Sequence, residues 1–353
     1  MTGADRRMQA AVLLGPEQVE VREMDVPRPA AGEILLRVGA ATTCGTDVKV
    51  FRRGGHPRML EVPALFGHEM AGSVDSTGEG VESLRPGQRV VVANSASCGT
   101  CARCLQGREN LCPELVYLNG AFAEFVLVPE IFVRRSVYPM PDNLDFERAA
   151  LAEPLACVLH GLDACGLTPG VASQVVVYGA GPIGLLFVAA LARDGHEVTL
   201  ADPNPSRLAT GERMGAARVL AIRRGGGQSR DVRAVTRDGE GADVAVDCTG
   251  VPEVWSDALD SVRAGGLVNL FGGCAPGTSV ALDTHRLHYS EITVKGVYHH
   301  RPATFRRALE LLVDPGFPAR ELLSARRPVA EVEQALRSMM RKDALKVVIT
   351  AGG

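Results

Sequence analysis

Four cysteines lie close together in one segment of the sequence and could hold a metal ion. Cys98, Cys101, Cys104 and Cys112 follow the pattern C-x2-C-x2-C-x7-C. Four thiolates at such short spacing can fill all four tetrahedral positions of one zinc ion and leave none for a substrate. An iron–sulfur cluster also takes four cysteines, but the known ferredoxin spacings differ from this one. The segment therefore predicts a structural zinc in a lobe of about residues 94–115.

A second set of residues is typical of a dinucleotide site. After the apolar run that ends at Tyr178, the chain continues with Gly179, Ala180, Gly181, Pro182, Ile183 and Gly184 and then a helix-like segment. The three glycines permit a tight turn, close approach of the backbone to a pyrophosphate, and close packing of helix on strand. Asp202 follows the last glycine by 18 residues, near the spacing of about 20 expected for an acid that binds ribose hydroxyls. Asp202 favours NAD because a carboxylate repels a 2′-phosphate, whereas Arg207 keeps NADP possible.

Four further residues could form an open metal site, although each alone has an ordinary structural explanation. They are Cys44 in ATTCGTDVK, His68 and Glu69 in FGHEMAG, and Glu153 in LAEPLA. One sulfur, one nitrogen and one or two oxygen ligands leave a position on zinc for a water or a substrate oxygen, as a catalytic site requires. Spacing alone does not show that these residues meet.

Composition limits the class of protein. The 353 residues are 46% hydrophobic and 22% charged, which suits two globular domains of about 100–200 residues each. The net charge of −3 gives no positive field for nucleic acid or an anionic membrane. No apolar stretch resembles a secretory signal or a membrane span, so we expect a cytoplasmic protein. In that reducing compartment, clustered cysteines are metal ligands or catalytic groups rather than disulfides.

The pattern of elements changes twice along the chain. Short strands separated by Pro and Gly fill the segment to about residue 135, which predicts a β-rich first domain. From about residue 155, buried strands alternate with helices, as in a doubly wound parallel sheet. After about residue 290 the pattern is mixed again, and we expect this tail to return to the first domain.

The order of these motifs resembles that of the zinc-dependent medium-chain dehydrogenase family, over about residues 9–350. GHE, the four-cysteine lobe, EP and GxGxxG occur in the family's order, and CGTDVK, EPL and LHYSEITVKGVYHH are most similar to its polyol and threonine dehydrogenase branch, which includes sorbitol or L-iditol dehydrogenases. The resemblance implies an α/β fold in which a GroES-like β-rich catalytic domain, 1–155 plus 290–353, is split by a doubly wound parallel Rossmann domain, 156–289.

The resemblance also assigns catalytic roles. It places a catalytic zinc on Cys44, His68 and Glu69, and makes Glu153 either a direct ligand or one that exchanges with water. Thr46 would transfer the substrate proton. With the structural zinc, two zinc ions per chain are expected.

On the cofactor side, the resemblance implies that Ile183, Asp202 and Arg207 contact the dinucleotide. Phe271 and Gly272, with Gly273, would lie beside the nicotinamide, and the segment from Val297 to His299 would line that pocket. The expected cofactor-binding residues are Gly179, Gly181, Pro182, Ile183, Gly184, Asp202, Arg207, Phe271, Gly272 and Val297.

One position departs from the family pattern. Many relatives have a histidine, often drawn as the exit of the proton relay, where this sequence has Lys49. His56 or water could replace it, or Lys49 could be a solvated surface charge. His299 and His300 could contact substrate hydroxyls or form a pocket rim without a chemical role.

We therefore predict a zinc-dependent, NAD-linked alcohol dehydrogenase that oxidises a secondary hydroxyl of a polyol, a cyclitol or amino-cyclitol, or an amino alcohol to a ketone. Its partner is a small-molecule substrate rather than nucleic acid or membrane, and a homodimer or homotetramer is expected. The alternatives are an L-threonine 3-dehydrogenase-like enzyme, a zinc-free NADPH-dependent enone or quinone reductase on the same fold, and a non-enzymatic binding protein.

Overall fold

The computed structural model describes residues 6–223 and 225–351. The chain divides into two compact units. Unit 1 comprises residues 1–156, 301–315 and 322–353, and unit 2 comprises 157–300 and 316–321.

The first part of unit 1 consists mainly of short strands. The strands are β1 (Arg7–Gly15), β2 (Gln18–Asp25), β3 (Ile34–Thr42), β4 (Ala64–Leu65), β5 (Glu69–Thr77), β6 (Arg89–Val92), β7 (Ser95–Ala96), β8 (Val116–Tyr117), β9 (Phe125–Val128) and β10 (Val137–Pro139). The helices are α1 (Gly45–Arg53), α2 (Ala102–Leu105), α3 (Glu130–Arg135) and α4 (Phe146–Ala149), with a 3-10 turn at Glu109–Leu111.

Unit 2 is built from alternating helices and strands. They are α5 (Ala152–Cys165), in which the unit boundary falls, then β11 (Gln174–Tyr178), α6 (Pro182–Arg193), β12 (Glu197–Asp202), α7 (Pro205–Arg213), β13 (Arg218–Ala221), α8 (Ser229–Ala234), β14 (Ala242–Asp247), α9 (Pro252–Ser261), β15 (Val262–Leu270), α10 (Thr284–Tyr289) and β16 (Thr293–Gly296). Shorter 3-10 turns lie at Arg237–Gly239 and Ala319–Leu322.

The chain then completes unit 1. The remaining elements are α11 (Pro302–Val313), β17 (Leu323–Pro328), a 3-10 turn at Val329–Glu331, α12 (Val332–Met340) and β18 (Lys346–Thr350). In the larger sheet of unit 1 the strand order is β10-β6-β5-β3-β18-β17, and β9 also pairs with β3. Because β18 pairs antiparallel with β3, the C-terminal strand lies beside the strand that leads to Cys44.

The sheet of unit 2 has six parallel strands in the order β13-β12-β11-β14-β15-β16. Its central strands are apolar and covered on both faces, and in β11 the residues Val175–Tyr178 are buried. Chain order reverses between β11 and β14, and ligands of open parallel sheets bind in the crevice at the carboxyl ends of such a pair of strands.

The compact units of the structure differ from the predicted domains at three places. The first boundary was predicted after residue 155 and lies after residue 156. The second was predicted after residue 289 but lies after residue 300, because β16 pairs in parallel with β15 and so completes the second sheet. A short segment, residues 316–321, also belongs to unit 2, which no feature of the sequence indicated.

None of the helices in the described part of the chain is both long and apolar enough to cross a membrane.

Candidate metal centres and dinucleotide site

Cys44 lies at the N-terminus of α1, where it caps the helix. Its sulfur accepts a hydrogen bond from the backbone N–H of Thr46 at 3.4 Å. Asp47 completes a capping box, because its Oδ2 accepts the backbone N–H of Cys44 at 2.8 Å. The two hydrogen bonds therefore fix the position of the Cys44 sulfur at the start of α1.

Asp47 also fixes the imidazole of His68. Asp47 Oδ1 lies 2.9 Å from His68 Nδ1, and both side chains are buried. When Nδ1–H donates to the carboxylate, Nε2 is the ring nitrogen left to bind a metal. Burial alone would lower the pKa of His68, but the charge and hydrogen bond of Asp47, followed by the side chain of Cys44, raise it well above its usual range. The same negative charges would stabilise a divalent cation here.

Glu69 is held by a cation from the other end of the chain. The pairing of β3 with β5 places Glu69 opposite Thr42, whose hydroxyl donates to Glu69 Oε2. Lys346 Nζ lies 2.7 Å from Oε1 and 2.5 Å from Oε2 of Glu69, and it also donates to the carbonyl of Thr43 at 2.9 Å. Both charged side chains are fully buried, so each compensates the other's charge.

The donor set at this centre suits zinc. One ligand atom each from Cys44, His68 and Glu69 lies within 4.8 Å of the other two. Thiolate, imidazole and carboxylate are the groups that zinc takes, and three protein ligands leave a fourth position for a substrate oxygen. Glu153, buried in the first turn of α5, does not join this group of three. Burial lowers the pKa of the Lys346 ammonium, but Glu69, Cys44 and, with a smaller effect, Glu153 raise it above its ordinary value.

The residues considered for a proton relay have different surroundings. Thr46 is half-buried in the first turn of α1, whereas Lys49 is exposed. His56 uses Nδ1 to accept the backbone N–H groups of Arg58 and Met59, each at 3.2 Å. Burial, with smaller effects of Arg53 and Arg58, lowers the pKa of His56.

The four lobe cysteines form a compact set of sulfur atoms. Cys101 and Cys104 Sγ lie 3.5 Å apart, as do Cys98 and Cys112 Sγ, and two other pairs are 3.9 Å apart. Zinc–sulfur bonds of about 2.3 Å in a tetrahedron require sulfur–sulfur edges of about 3.8 Å. The spacing of the sulfurs therefore fits one four-coordinate zinc.

The backbone of the lobe prepares Cys98 for that role. Hydrogen bonds from the backbone N–H groups of Thr100 and Cys101 lower the pKa of Cys98 to about 6. Burial instead raises the pKa of Cys112 to about 12. A cation among the four sulfurs would favour the thiolate at every position.

The glycine turn after β11 leaves open space at Gly181. Gly179 has φ +99°, a left-handed conformation that favours glycine. A methyl group on Gly184 would lie 1.8 Å from the carbonyl oxygen of Gly179, whereas one on Gly181 would meet nothing within 4 Å. Gly184 therefore permits tight packing of α6 on β11, and Gly181 leaves space at the N-terminus of α6, where free N–H groups attract a phosphate. Pro182 occupies the first turn of α6, and Ile183 after it is half-buried.

Asp202 ends β12 beside this turn. Its Oδ2 accepts the backbone N–H of Ala180 at 2.7 Å, and its Oδ1 accepts that of Asn204 at 2.8 Å. Burial lowers the pKa of Arg207, and the nearby Asp202 opposes that effect. The carboxylate thus joins β12 to the glycine turn, and each of its oxygens keeps a lone pair for a ribose hydroxyl.

The other predicted cofactor residues lie near the same sheet. The ring of Phe271 packs edge-to-face on Phe187, with 5.1 Å between centroids. Gly272, which follows β15, packs against the turn that follows β14. Val297 follows β16 and is half-buried.

The two histidines singled out in the sequence lie in an unusual backbone segment. His299 has φ +61°, and its carbonyl accepts a hydrogen bond from His160 Nδ1 at 2.7 Å. The rings of His299 and His300 are 4.1 Å apart. His160 thus holds the strained residue in place, a contact that the sequence did not suggest.

Two important residues of the metal centre were also missed. Asp47 had a detectable signal, because an acid three residues after a helix cap is typical of a capping box. Lys346 had none, since it is 277 residues from Glu69.

Comparisons with known proteins identify the family. The family model described as alcohol dehydrogenase GroES-like domain matches residues 30–142, and that described as zinc-binding dehydrogenase matches residues 182–314. The chain is 32% identical to a sorbitol dehydrogenase of Bombyx mori, over 96% of this chain and 97% of that one. It is 30% identical to an L-threonine 3-dehydrogenase of Anaeromyxobacter sp. (strain Fw109-5), over 94% of this chain and 95% of that one.

A solved structure gives the same result. A zinc-binding dehydrogenase of Sinorhizobium meliloti 1021, crystallised with NADP, superimposes with a TM-score of 0.88 at 29% identity and covers 98% of this chain and 100% of its own. The predicted fold class, a GroES-like domain with a parallel Rossmann domain, is confirmed. The chain belongs to the zinc-dependent medium-chain dehydrogenase family, in its polyol and threonine dehydrogenase branch, and is an oxidoreductase of the alcohol dehydrogenase type.

Proposed function

We propose that this enzyme oxidises a secondary hydroxyl of a polyol, a cyclitol or amino-cyclitol, or an amino alcohol to a ketone, with zinc and NAD. The observation that carries the proposal is the group of Cys44, His68 and Glu69, whose ligand atoms lie within 4.8 Å of one another. Asp47 supports this group by bonding both Cys44 and His68. The sorbitol dehydrogenase relative favours a polyol.

The chain's own groups divide the work of such a reaction. When bound, zinc would polarise the substrate hydroxyl and lower its pKa, and the nicotinamide would accept the hydride. Cys44 and His68 would hold the metal, and Asp47 would keep His68 in the tautomer that frees Nε2. Glu69 would share its carboxylate between Lys346 and the metal, and Glu153 would be an alternative oxygen ligand.

Thr46 is the proposed acceptor of the substrate proton. Its position two residues after Cys44 keeps its backbone against the thiol sulfur, at 3.4 Å. Exposure of Lys49 and the occupied Nδ1 of His56 favour water as the next acceptor. We therefore give neither Lys49 nor His56 a role in the relay.

NAD is the proposed cofactor, and NADP is the alternative. The open backbone at Gly181 and the helix N-terminus behind it suit a pyrophosphate. The carboxylate of Asp202 disfavours a 2′-phosphate, whereas the nearby Arg207 and the NADP bound by the Sinorhizobium relative support the alternative. A second zinc would occupy the lobe formed by Cys98, Cys101, Cys104 and Cys112.

A homodimer or homotetramer is proposed as the assembly. The four residues of β16 are exposed at the edge of the parallel sheet. Val294 and, nearby in sequence, Tyr289 and Tyr298 expose apolar surface. A strand edge of this kind is suited to pairing with a second copy of the chain.

One assay tests the reaction. Sugar alcohols, cyclitols, L-threonine and simple alcohols are offered with NAD or NADP, and the reduced nicotinamide is followed by absorbance. We expect the fastest turnover with a polyol or cyclitol and NAD. Preferred oxidation of L-threonine would support the second candidate, which the Anaeromyxobacter relative suggests. A protein that oxidises none of these substrates but reduces an enone with NADPH, in a separate reaction, would contradict both.

Two variants test the site. Cys44→Ser and His68→Ala should each lose zinc at this centre and nearly all turnover while remaining folded. Cys274→Ser is the matched control, because Cys274 belongs to neither of the two proposed zinc sites. Undiminished alcohol oxidation in both site variants would rule out the assignment.

A further inference from the structure

Asp247, the last residue of β14, is a fully buried carboxylate with four hydrogen-bond donors around it. Its Oδ1 accepts the backbone N–H of Thr249 at 3.1 Å and the hydroxyl of Thr249 at 2.6 Å. Its Oδ2 accepts the backbone N–H of Gly250 at 3.0 Å and the indole Nε1–H of Trp255 at 3.0 Å. The side chain therefore fixes the turn of residues 248–250 and anchors it to α9.

The backbone of Asp247 binds a second turn, residues 271–273. Its carbonyl accepts the N–H groups of Phe271 at 3.2 Å and Gly272 at 2.8 Å. The Trp255 indole also lies 3.2 Å from the carbonyl of Gly272. A methyl group at residue 272 would lie 2.6 Å from Asp247 Oδ2, so the approach requires glycine. One carboxylate and one indole thus join two turns that lie far apart in sequence.

Both turns lie where a dinucleotide is expected. They follow β14 and β15 at the carboxyl edge of the parallel sheet. The backbone N–H of Cys248 donates to the carbonyl of Tyr178 at 2.9 Å. The Thr249 methyl carbon lies 2.9 Å from the position that a Cβ on Gly179 would take. The turn of residues 248–250 is therefore in contact with the glycine turn, at the point where chain order in the sheet reverses.

Burial of a carboxylate has a high desolvation cost. Burial raises the pKa of Asp247, and the hydrogen bonds from Thr249, Gly250 and Trp255 oppose that effect. A turn could be closed by neutral groups at lower desolvation cost. The charged acceptor instead makes each of the four hydrogen bonds stronger than a neutral one, which keeps both turns in one conformation.

We propose that Asp247 and Trp255 are positioning residues for the cofactor, which fix the turns 248–250 and 271–273 before the dinucleotide binds. The inference rests on the proposed dinucleotide site. Rigid turns increase affinity because less conformational entropy is lost on binding. Loosening the pair should therefore weaken dinucleotide binding without unfolding the protein.

The test measures affinity and stability separately. NADH and NADPH are titrated into the full-length protein, and their own nicotinamide fluorescence reports binding, so the assay does not depend on tryptophan. Trp255→Phe removes one donor and keeps an aromatic ring, and Asp247→Asn keeps the shape but leaves one acceptor oxygen. Ser256→Ala, on the next residue of α9, is the matched control. Circular dichroism gives the unfolding temperature of each.

We expect Trp255→Phe to weaken binding of the preferred dinucleotide about tenfold, Asp247→Asn to weaken it further, and Ser256→Ala to leave it unchanged. Because Trp255 is the only tryptophan, its emission should change when the dinucleotide binds to the unmodified protein, and Asp247→Asn should shift that emission in the free protein. These results together would support the proposal.

Other results would overturn it, for different reasons. If the unmodified protein binds a dinucleotide and Trp255→Phe binds it equally well, the pair has no positioning role, even if the variant unfolds at a lower temperature. If Asp247→Asn does not fold, the Trp255→Phe result decides alone. If the unmodified protein binds neither NADH nor NADPH, the proposed cofactor site itself is wrong and this inference is rejected with it.

Discussion

Lys346 and Glu69 form an ion pair inside unit 1, with 2.7 and 2.5 Å between the ammonium nitrogen and the two carboxylate oxygens. Neither side chain is more than 1% exposed. The pair connects the first residue of the C-terminal strand β18 with the first residue of β5, beside the proposed zinc ligands. Glu69 would therefore lie between two cations, the ammonium of Lys346 and the proposed zinc.

Replacement of Lys346 should show whether Lys346 and zinc compete for the carboxylate of Glu69. Lys346→Met leaves the Glu69 carboxylate buried without its cation, and loss of one partner of a buried pair costs about 3–5 kcal/mol. We expect that loss in the free energy of unfolding of the zinc-free protein, measured with urea. Zinc should restore part of it, because the freed carboxylate can bind the metal with both oxygens.

A double variant provides the control. Lys346→Met combined with Glu69→Gln removes both charges and should be more stable than Lys346→Met alone. If Lys346→Met and the unmodified protein have the same free energy of unfolding in the absence of zinc, the ion pair does not stabilise the fold.

Asp47 should control zinc affinity through His68. Asp47→Asn keeps the shape but replaces the carboxylate that lies 2.9 Å from His68 Nδ1. Loss of such a partner behind a metal-binding histidine typically lowers affinity 10–100-fold, and competition with a chelator measures it. Asp283→Asn is the control for loss of a carboxylate at a helix N-terminus, since Asp283 caps α10 by accepting the backbone N–H of Arg286. Equal zinc affinity in both variants would contradict this role for Asp47.

The four-cysteine lobe and the glycine turn after β11 could be predicted from the sequence, because the residues of each motif are neighbours in the chain. The lobe cysteines lie within 15 consecutive residues, so local backbone geometry alone brings the sulfurs together. The same holds for the glycine turn, where strand, turn and helix are continuous. For these motifs the sequence pattern and the local structure carry the same information.

Other features depend on contacts between distant segments. The pair of Lys346 with Glu69 exists because β18 pairs with β3 and β3 pairs with β5, and no periodicity encodes that order. The strand at Thr293–Gly296 was predicted as a strand but assigned to the wrong domain, because an alternating segment does not indicate which sheet edge it joins. The hydrogen bond from His160 to the carbonyl of His299 spans 139 residues and was missed for the same reason.

The lobe should lose its metal independently of the catalytic centre. Cys101→Ser removes one of four sulfurs that lie 3.5–3.9 Å from their neighbours. Zinc content should fall from about two to about one per chain, and the unfolding temperature should fall, because binding of a structural zinc contributes directly to folding. Metal analysis and calorimetry check both. Cys274→Ser should change neither, and full zinc content with full stability in Cys101→Ser would exclude a metal in the lobe.

Asp75 gives a prediction about acid stability. Arg6 Nη1 lies 2.8 Å from one carboxylate oxygen of Asp75, and Arg37 Nη2 lies 3.3 Å from the other. The hydrogen bond from Arg6, with smaller effects of its charge and of Arg37, holds the pKa of Asp75 below its ordinary value of 3.8. A carboxylate with a lowered pKa in the folded state stabilises the protein above its unfolded pKa and loses that contribution as the pH falls through the folded value.

Asp75→Asn should therefore lower the free energy of unfolding at neutral pH by up to about 1 kcal/mol, since both arginines are largely exposed. The gap between variant and unmodified protein should close as the pH falls below 3.8, and added salt should narrow it at neutral pH. Urea unfolding across this pH range measures the difference. Glu20→Gln is the control, because Glu20 pairs with the exposed Arg22 at 2.7 Å, and loss of this exposed pair should cost less. A gap that persists at the lowest pH would mean that Asp75 contributes through packing rather than through its charge.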